Sequence, residues 1–507
     1  VRLAQNLLAG LANSAWTAVV GLVMVPFYLR YLGVESYGLI GFFSSLQAIF
    51  SLLDMGLALT INREVARCSA AGNLREAGGL LHTLAVLYWG MAALIVALIV
   101  MLAPWIAAHW LQSRQLAHET VGQAVMMIGV AIASRWPVSL YQGALIGAQR
   151  LVLSSTINIF FVTFGSLGTI LILGQLSPTI EAFFVWQACV GLAYAITIRA
   201  AAWRIIGKRD KKRFDLHALK GIWRFTAGMS GITATGLFFM QLDKVILSKI
   251  LSLEGFAHYM LASLIVSGLY MLVTPTFNAI YPRMSGLVVA NDEAKLAELY
   301  LVGTRALAIL LFPLAMFLII FGEALIAIWT GEPNIATMVA PVVSILAAGS
   351  ALHGVMHFPY ALQLAYGKTS LPLTINIFLM IFQLPLITFL ALRYGAPGGA
   401  LSWLILQSIY FLIGSWLTHR QLLQGQWLNW LLKAIGVPLF FTALFGIIGY
   451  QLILFGNHSI YTLAIGGATL CLSAMSISAL TTPQLREACL ILFSHARNLF
   501  KYHQVDK

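Results

Sequence analysis

Along this chain, stretches of about 20 apolar residues alternate with short polar segments, and each stretch could cross a bilayer core of roughly 30 Å as a helix. Fourteen such stretches are legible: 6–29, 37–60, 80–108, 121–146, 151–174, 180–203, 225–248, 257–281, 299–321, 335–365, 369–392, 396–417, 430–454 and 459–480. They contain no alternating, period-two pattern, and a hydrocarbon environment leaves a helix as the form that satisfies its own backbone polar groups. Spans 80–108 and 335–365 are long enough to tilt or to include an interfacial turn. The first stretch is too long for a removable signal peptide and lacks a small-residue cleavage site, so it reads as a span.

A second pattern overlies the first. Thr156-Ile157-Asn158-Ile159-Phe160 recurs unchanged as Thr374-Ile375-Asn376-Ile377-Phe378, 218 positions on. The segment Arg30–Gly38 reads against Lys249–Ala257 at an offset of 219, and Arg63 against Arg283 at 220. Three anchors at nearly the same offset, 218 to 220, imply two copies of a six-span unit, with spans 13 and 14 left over. Six is even, so both copies enter the membrane with the same orientation and are expected to relate by an axis along the membrane normal, with a pathway between them. The expected fold is an all-α polytopic membrane protein. Its N-terminal lobe occupies 1–203, a basic linker 204–224, its C-terminal lobe 225–422, two additional spans 423–480, and a tail with an amphipathic helix 481–507. This architecture points to a transporter more than to an enzyme.

Composition agrees with the pattern: 60% of residues are hydrophobic and 9% charged. The net charge of +13 is explained by its placement. With both termini in the cytoplasm, the outer side carries only Arg30, Arg114, Lys249 and Arg393, while the inner loops and tail hold the remaining loop cations, a positive-inside pattern. No nucleic-acid partner is needed to explain it. The linker concentrates Lys208, Arg209, Lys211, Lys212, Arg213 and Lys220 against Asp210 and Asp215, and reads as an inner loop that also touches anionic lipid. Residues 484–503 place Leu485, Cys489, Leu492, Phe493, Ala496 and Leu499 on one face, as a short helix lying on the inner surface would. No phosphate-cradling glycine loop, zinc-spaced cysteine pair or nucleophile elbow is present, and the longest loops run to about 20 residues, so neither a catalytic domain nor a cofactor is expected.

The candidate chemistry is a small set of charges at membrane depth: Asp54 in span 2, Arg135 in span 4, and Asp243 with Lys244 in span 7. Each costs about 2.5–3.5 kcal/mol at a helix centre, so they must pair, snorkel or face water. Arg135 is closest to mid-span, beside Trp136 and Pro137, and either pairs with Asp54 or a carbonyl or faces a polar pathway. Its repeat mate is His353, which shares a helix face with His357 at i, i+4; no acidic residue nearby completes a metal site, and polar contacts are the expectation. Asp54 sits near the inner end of its span, where it bonds backbone or Arg63 or contributes to coupling. Lys244 snorkels or faces the pathway; as sequence neighbours, at most one of Asp243 and Lys244 points squarely into it. Arg63 and Arg283 occupy equivalent inner ends of spans 2 and 8. Arg30 and Lys249 are the further candidate cavity cations, and Gln241 a further polar candidate.

Two groups of residues resemble a known family. Pro26–Gly38, Leu53-Asp54-Met55-Gly56-Leu57 and Arg63-Glu64-Val65-Ala66 resemble the opening of bacterial polysaccharide-export proteins, the O-antigen (Wzx-type) and teichuronic-type flippases of the multidrug/oligosaccharidyl-lipid/polysaccharide superfamily. Gln241–Leu247 with the following Tyr259 resembles that family's seventh span, although His258 and Ser252 stand where glycines are expected. The resemblance covers spans 1–12, and spans 13 and 14 fit the fourteen-span versions. It implies a bacterial inner-membrane flippase that carries undecaprenyl-diphosphate-linked oligosaccharide from the cytoplasmic to the periplasmic leaflet by rocking of two lobes, for O-antigen, capsule or exopolysaccharide synthesis, beside polymerase and chain-length machinery. Three alternatives stay open: a multidrug exporter using Asp54 and Asp243 for proton or sodium coupling, a lipid II flippase of the same fold, and a membrane-embedded glycosyl transferase, which the short outer loops disfavour.

Overall fold

In the computed structural model, residues 2–54, 56–207, 239–455, 459–481 and 486 are described; the basic segment 208–224 and nearly all of the tail helix lie outside them. The described residues are almost entirely helical. In chain order the helices are α1 (Arg2–Ser51), α2 (Leu57–Ala70), α3 (Leu74–His109), α4 (His118–Arg135), α5 (Val138–Gly147), α6 (Leu151–Leu171), α7 (Ile180–Ile206), α8 (239–250), α9 (Leu253–Ser267), α10 (Tyr270–Val289), α11 (Glu293–Thr330), α12 (Pro333–Val355), α13 (His357–Ala365), α14 (Ser370–Ile409), α15 (Ser415–Leu422), α16 (Trp427–Asn429), α17 (Val437–Phe455) and α18 (Ile460–Leu480).

Among the described residues, ten apolar helical stretches are long enough to cross a membrane, and the bent pair α9–α10 makes eleven. Fourteen crossings were expected, and length accounts for much of the difference. At about 1.5 Å per residue, the 50 residues of α1 span about 75 Å, more than twice the ~30 Å core. Gly33 breaks α1 at φ 79°, and Gly395 breaks the 40-residue α14 at φ 64°. Each of these helices therefore holds two of the expected spans, 6–29 with 37–60 and 369–392 with 396–417. The expected seventh span, 225–248, is described only from residue 239.

The second expected span is shorter than its hydropathy suggests. Its helix ends at Ser51, a 3-10 turn runs over Leu52–Asp54, and Gly56 takes a left-handed conformation (φ 75°) before α2 starts afresh at Leu57. Asp54 therefore sits in a break rather than inside a helix, and exposed Arg63 lies well into α2. In α4–α5, Pro137 has the effect expected of it: α4 ends at Arg135, the Trp136 N–H makes the last bond back to the Ile132 carbonyl (3.1 Å), and a new helix starts at Val138.

The chain divides into two compact units, Val1–Met260 and Leu261–Lys507. In the first, Ile61 and Val65 of α2, Leu81, Leu84 and Tyr88 of α3, Tyr141 and Leu145 of α5, and Ala195 and Ile198 of α7 form a continuous buried core. α5 approaches α2 closely because Gly143 and Gly147, four residues apart, face the Ala58 and Asn62 carbonyls of α2, leaving no room for a Cβ. Buried Glu35 fixes one end of the unit. Its carboxylate accepts the backbone N–H groups of Arg114, Gln115 (2.8 Å) and Leu116 (2.9 Å). The same loop holds the α8–α9 turn through a Leu253 N–H to Gln112 carbonyl bond (2.8 Å) and a Trp110 Nε1 to Ser248 Oγ bond (3.0 Å). In the second unit, α11 is the central helix, packed by α10, α12, α17 and α18.

The repeat is present in the backbone of the two units. Left-handed residues recur at the sequence offset: Gly72 (φ 73°) with Asn291 (φ 52°), Gln149 (φ 56°) with Gly367 (φ 69°), and Gly207 (φ 84°) with Gly425 (φ 77°). The α4–α5 break beside Arg135 has its counterpart in the α12–α13 break at Met356, and Leu151, which opens α6, in Ser370, which opens α14. Asn and Gln are tolerated at positive φ but rare there, so their occurrence opposite glycines reflects an inherited turn.

A Gly147→Val substitution places its side chain against the Asn62 carbonyl and Val65. It is expected to destabilise the first unit by about 1–3 kcal/mol, read as a lower thermal unfolding temperature of the detergent-purified protein. An unchanged temperature would mean that α5 need not approach α2 this closely.

Candidate functional site

Polar side chains in the membrane-spanning helices gather in each unit separately. In the first, Arg135 ends α4, and its guanidinium donates from Nη2 to Gln187 Oε1 on α7 (2.5 Å). Its partner is therefore a side-chain amide, and not Asp54 or a backbone carbonyl as the sequence led one to expect. Tyr28 of α1 and Tyr194 of α7 stand within electrostatic reach of the same guanidinium. Its Nε is buried and has no hydrogen-bond partner among the described residues. Gly191 makes the approach of α7 possible: a Cβ there would lie 2.8 Å from Arg135 Cγ.

From Tyr194 the network runs on. Gln142 Nε2 of α5 donates to Tyr194 Oη (2.7 Å), Tyr194 donates to Asn158 Oδ1 of α6 (3.1 Å), and Asn158 Nδ2 donates to Asn13 Oδ1 of α1 (2.7 Å). One connected set of side chains thus ties α1, α5, α6 and α7 together, close to the helix that carries Arg135. Asn158 belongs to the repeated pentapeptide, and its copy Asn376 stands in α14, but Leu412 and Tyr360 replace Tyr194 and Gln142 at the same offset. The backbone repeats while the polar chemistry does not.

The acidic groups are engaged locally. Asp54 accepts the hydroxyl of Tyr88 on Oδ1 and the Ala58 N–H on Oδ2 (3.4 Å), which places it over the first turn of α2. Asp243, 7% exposed, accepts the Tyr259 hydroxyl on Oδ2 (2.6 Å), and Lys244 Nζ lies 3.7 Å from its Oδ1. Lys244 also donates to the Met240 carbonyl (3.2 Å). Gln241 is half-buried on the same helix. Exposed Lys249 lays its ammonium over the Trp110 ring, 5.1 Å from the centroid, and Arg30 is exposed on α1.

In the second unit, Tyr270 Oη and His353 Nδ1 lie 2.9 Å apart, and His357 Nδ1 approaches the His353 carbonyl at 3.2 Å. Trp403 and Tyr410 flank the His353 ring, and Phe277 packs against His357 and Tyr360. Arg283 is exposed on α10. Among the described residues no three His, Cys, Asp or Glu are placed to hold a metal ion. The unit therefore offers imidazole and aromatic faces where its counterpart offers a guanidinium and amides.

The deep charges and the histidine pair were visible in the sequence. Gln187, Tyr194, Gln142 and Asn13, and in the second unit Tyr270, Trp403 and Tyr410, were not singled out. A usable signal existed for two of them: Gln187 and Tyr194 are seven residues apart, and so share one face of α7.

The family described as polysaccharide biosynthesis protein matches residues 3–288, and the family MatE matches residues 237–389. A putative O-antigen transporter of Shigella flexneri is 21% identical over 424 residues, covering 80% of this chain and 97% of that protein. Among solved structures, the lipid II flippase MurJ in an inward closed conformation aligns with a TM-score of 0.68 at 14% identity, over 94% of this chain and 98% of that one. An inward-facing multidrug resistance MATE family transporter of the MOP superfamily aligns with a TM-score of 0.64 at 14% identity, over 80% of this chain and 94% of that one. At these identities the structures establish a shared fold.

Tyr259→Phe removes the 2.6 Å bond to a buried carboxylate. Bonds to charged groups contribute about 1.5–3 kcal/mol, so the purified variant is expected to unfold at a lower temperature than wild type. Equal unfolding temperatures would show that Asp243 does not depend on this bond.

Proposed function

The chain belongs to the polysaccharide biosynthesis protein family, and from that premise we propose that it is a flippase for lipid-linked oligosaccharide: it carries an undecaprenyl-diphosphate-linked glycan from the cytoplasmic to the periplasmic leaflet of a bacterial inner membrane. The likeness to a protein named as a putative O-antigen transporter supports a cell-surface polysaccharide as the product.

The physical problem in such transport is the headgroup. A diphosphate with attached sugars loses its hydration on entering hydrocarbon, at a cost far above that of a neutral amide, unless charged donors replace the water. The observation that carries our reading is Arg135: a guanidinium positioned by Gln187, with a buried Nε that no described residue occupies. An anionic phosphate oxygen is a fitting acceptor for that N–H, since Arg–phosphate bonds are charge-assisted and about twice as strong as neutral ones. The amide and hydroxyl groups of Asn13, Asn158, Gln142 and Tyr194 offer the kind of donors and acceptors that sugar hydroxyls use. In the second unit, the faces of Trp403, Tyr410 and Phe277 suit apolar sugar faces. Lys244, Arg63, Arg283, Arg30 and Lys249 are further cations along the same route in our reading.

A cation-coupled multidrug exporter is the weaker reading. It would require a carboxylate free to take a cation, whereas Asp54 is engaged by Tyr88 and Ala58, and Asp243 by Tyr259 and Lys244. We assign Asp243 to neutralising Lys244 and fixing its helix, not to ion coupling.

Two experiments test this. In cells lacking the native flippase, Arg135→Ala is expected to abolish surface polymer at normal membrane levels of the protein, while Arg135→Lys retains partial export; full export with Arg135→Ala would remove it from the route. In proteoliposomes containing a fluorescent lipid-linked sugar, Asp243→Asn and wild type are expected to respond alike to an imposed pH gradient. A gradient that accelerates wild type but leaves a folded, active Asp243→Asn protein indifferent would make Asp243 the coupling group.

A further inference from the structure

A site outside the route just described lies in the second unit, where α11, α16 and α18 end near one another. A cavity of about 430 Å³ is lined there by Glu298, Leu301, Arg305, Gln426, Asn429 and Lys433. Arg305 donates from Nη2 to Thr481 Oγ1 (2.8 Å) and to the Thr481 carbonyl (3.3 Å), at the C-terminal end of α18. Those bonds fix the plane of the guanidinium and leave Nε buried with no partner among the described residues. Lys433 is carried by a π-helical stretch, Trp430–Gly436. That stretch is anchored to α11 by Trp430, whose Nε1 donates to Thr304 Oγ1 (3.2 Å), next to Arg305. A π turn shifts the side chains that follow it relative to an α-helix and is commonly found at functional sites.

We propose that this cavity binds the headgroup of an anionic phospholipid bearing hydroxyls, of the phosphatidylglycerol type, with Arg305 and Lys433 on its phosphate. Charge balance fits one phosphodiester: two cations against Glu298 leave one positive charge facing one negative. Glu298, Asn429 and Gln426 supply acceptors for headgroup hydroxyls. Depth fits as well. α11 has 38 residues, about 57 Å, so it extends beyond a ~30 Å hydrocarbon core and its first turns reach headgroup level. At its start, Asp292 caps α11 by accepting the Lys295 N–H (3.1 Å), and that bonding to Lys295 holds the carboxyl below the usual carboxylate range, as suits an exposed helix end. Beside the cavity, Leu428 and Leu432, one helical turn apart and 57% and 58% exposed, offer an apolar surface to an acyl chain. A free phosphate would have no use for that surface.

The test is native mass spectrometry of the full-length detergent-purified protein with added phosphatidylglycerol or phosphatidylcholine, with inorganic phosphate as competitor. Wild type is expected to retain phosphatidylglycerol in preference to phosphatidylcholine, and excess inorganic phosphate to leave it in place. Arg305→Gln and Lys433→Ala are each expected to weaken retention roughly tenfold, the loss of one charge-assisted bond. Lys433 is exposed, so its variant keeps the fold if Arg305→Gln does not. Undiminished phosphatidylglycerol retention in Lys433→Ala, or equal retention of the two lipids by wild type, would overturn the assignment. Displacement by inorganic phosphate would overturn the lipid in favour of a free anion.

Discussion

Hydrocarbon offers no hydrogen-bond partner, so a polar side chain brought into a membrane span is stabilised by one found within the protein. The arrangement of the first unit follows from that constraint. Arg135 takes Gln187, and Gly191 keeps α7 thin enough for the guanidinium to lie against it. The chain Gln142–Tyr194–Asn158–Asn13 satisfies four more side chains across four helices. Such a network fixes the rotation of each helix about its axis, because turning any one of them leaves a polar group unpaired in an apolar medium. Arg135 itself keeps a buried Nε with no hydrogen-bond partner among the described residues. In the first unit the amides and the tyrosine of this network are paired with one another, while one N–H of the guanidinium is not paired among the described residues.

The two units share a backbone and differ in chemistry. Breaks, helix starts and left-handed turns recur at an offset of 218–219, from Gly72 and Asn291 to Gly207 and Gly425. At the equivalent break, however, Arg135 is matched by His353, which is held by Tyr270 and flanked by Trp403 and Tyr410. The first unit thus holds a charged environment and the second an aromatic one. Divergence of side chains on a duplicated backbone is an economical way to obtain them.

Much of this was legible in the sequence because its causes are local or periodic. Apolar length revealed the spans, the pentapeptide around Asn158 and Asn376 revealed the duplication, and Pro137 marked a real break. Arg135 stood out because a cation near mid-span cannot easily reach either interface and needs a partner or a polar path. Two things were out of reach. Hydropathy carried the second span through Asp54, although Gly56 ends it, since an apolar run does not record a left-handed residue. Partners were hidden too: Gln187 is 52 positions from Arg135, and the Glu35 carboxylate meets Arg114, Gln115 and Leu116 about 80 positions away. Such pairings depend on how helices pack, which composition and spacing do not encode.

The most direct measurement of the central claim is transbilayer movement by the purified protein alone. Lipid-linked oligosaccharide would be placed in both leaflets of proteoliposomes, and its accessibility to an added membrane-impermeant glycan-cleaving enzyme followed over time. Liposomes containing the protein are expected to expose essentially all of the lipid, whereas protein-free liposomes and those with Arg135→Ala stop at the outer-leaflet half. Wild-type protein, folded and inserted, that also stops at half would contradict the claim.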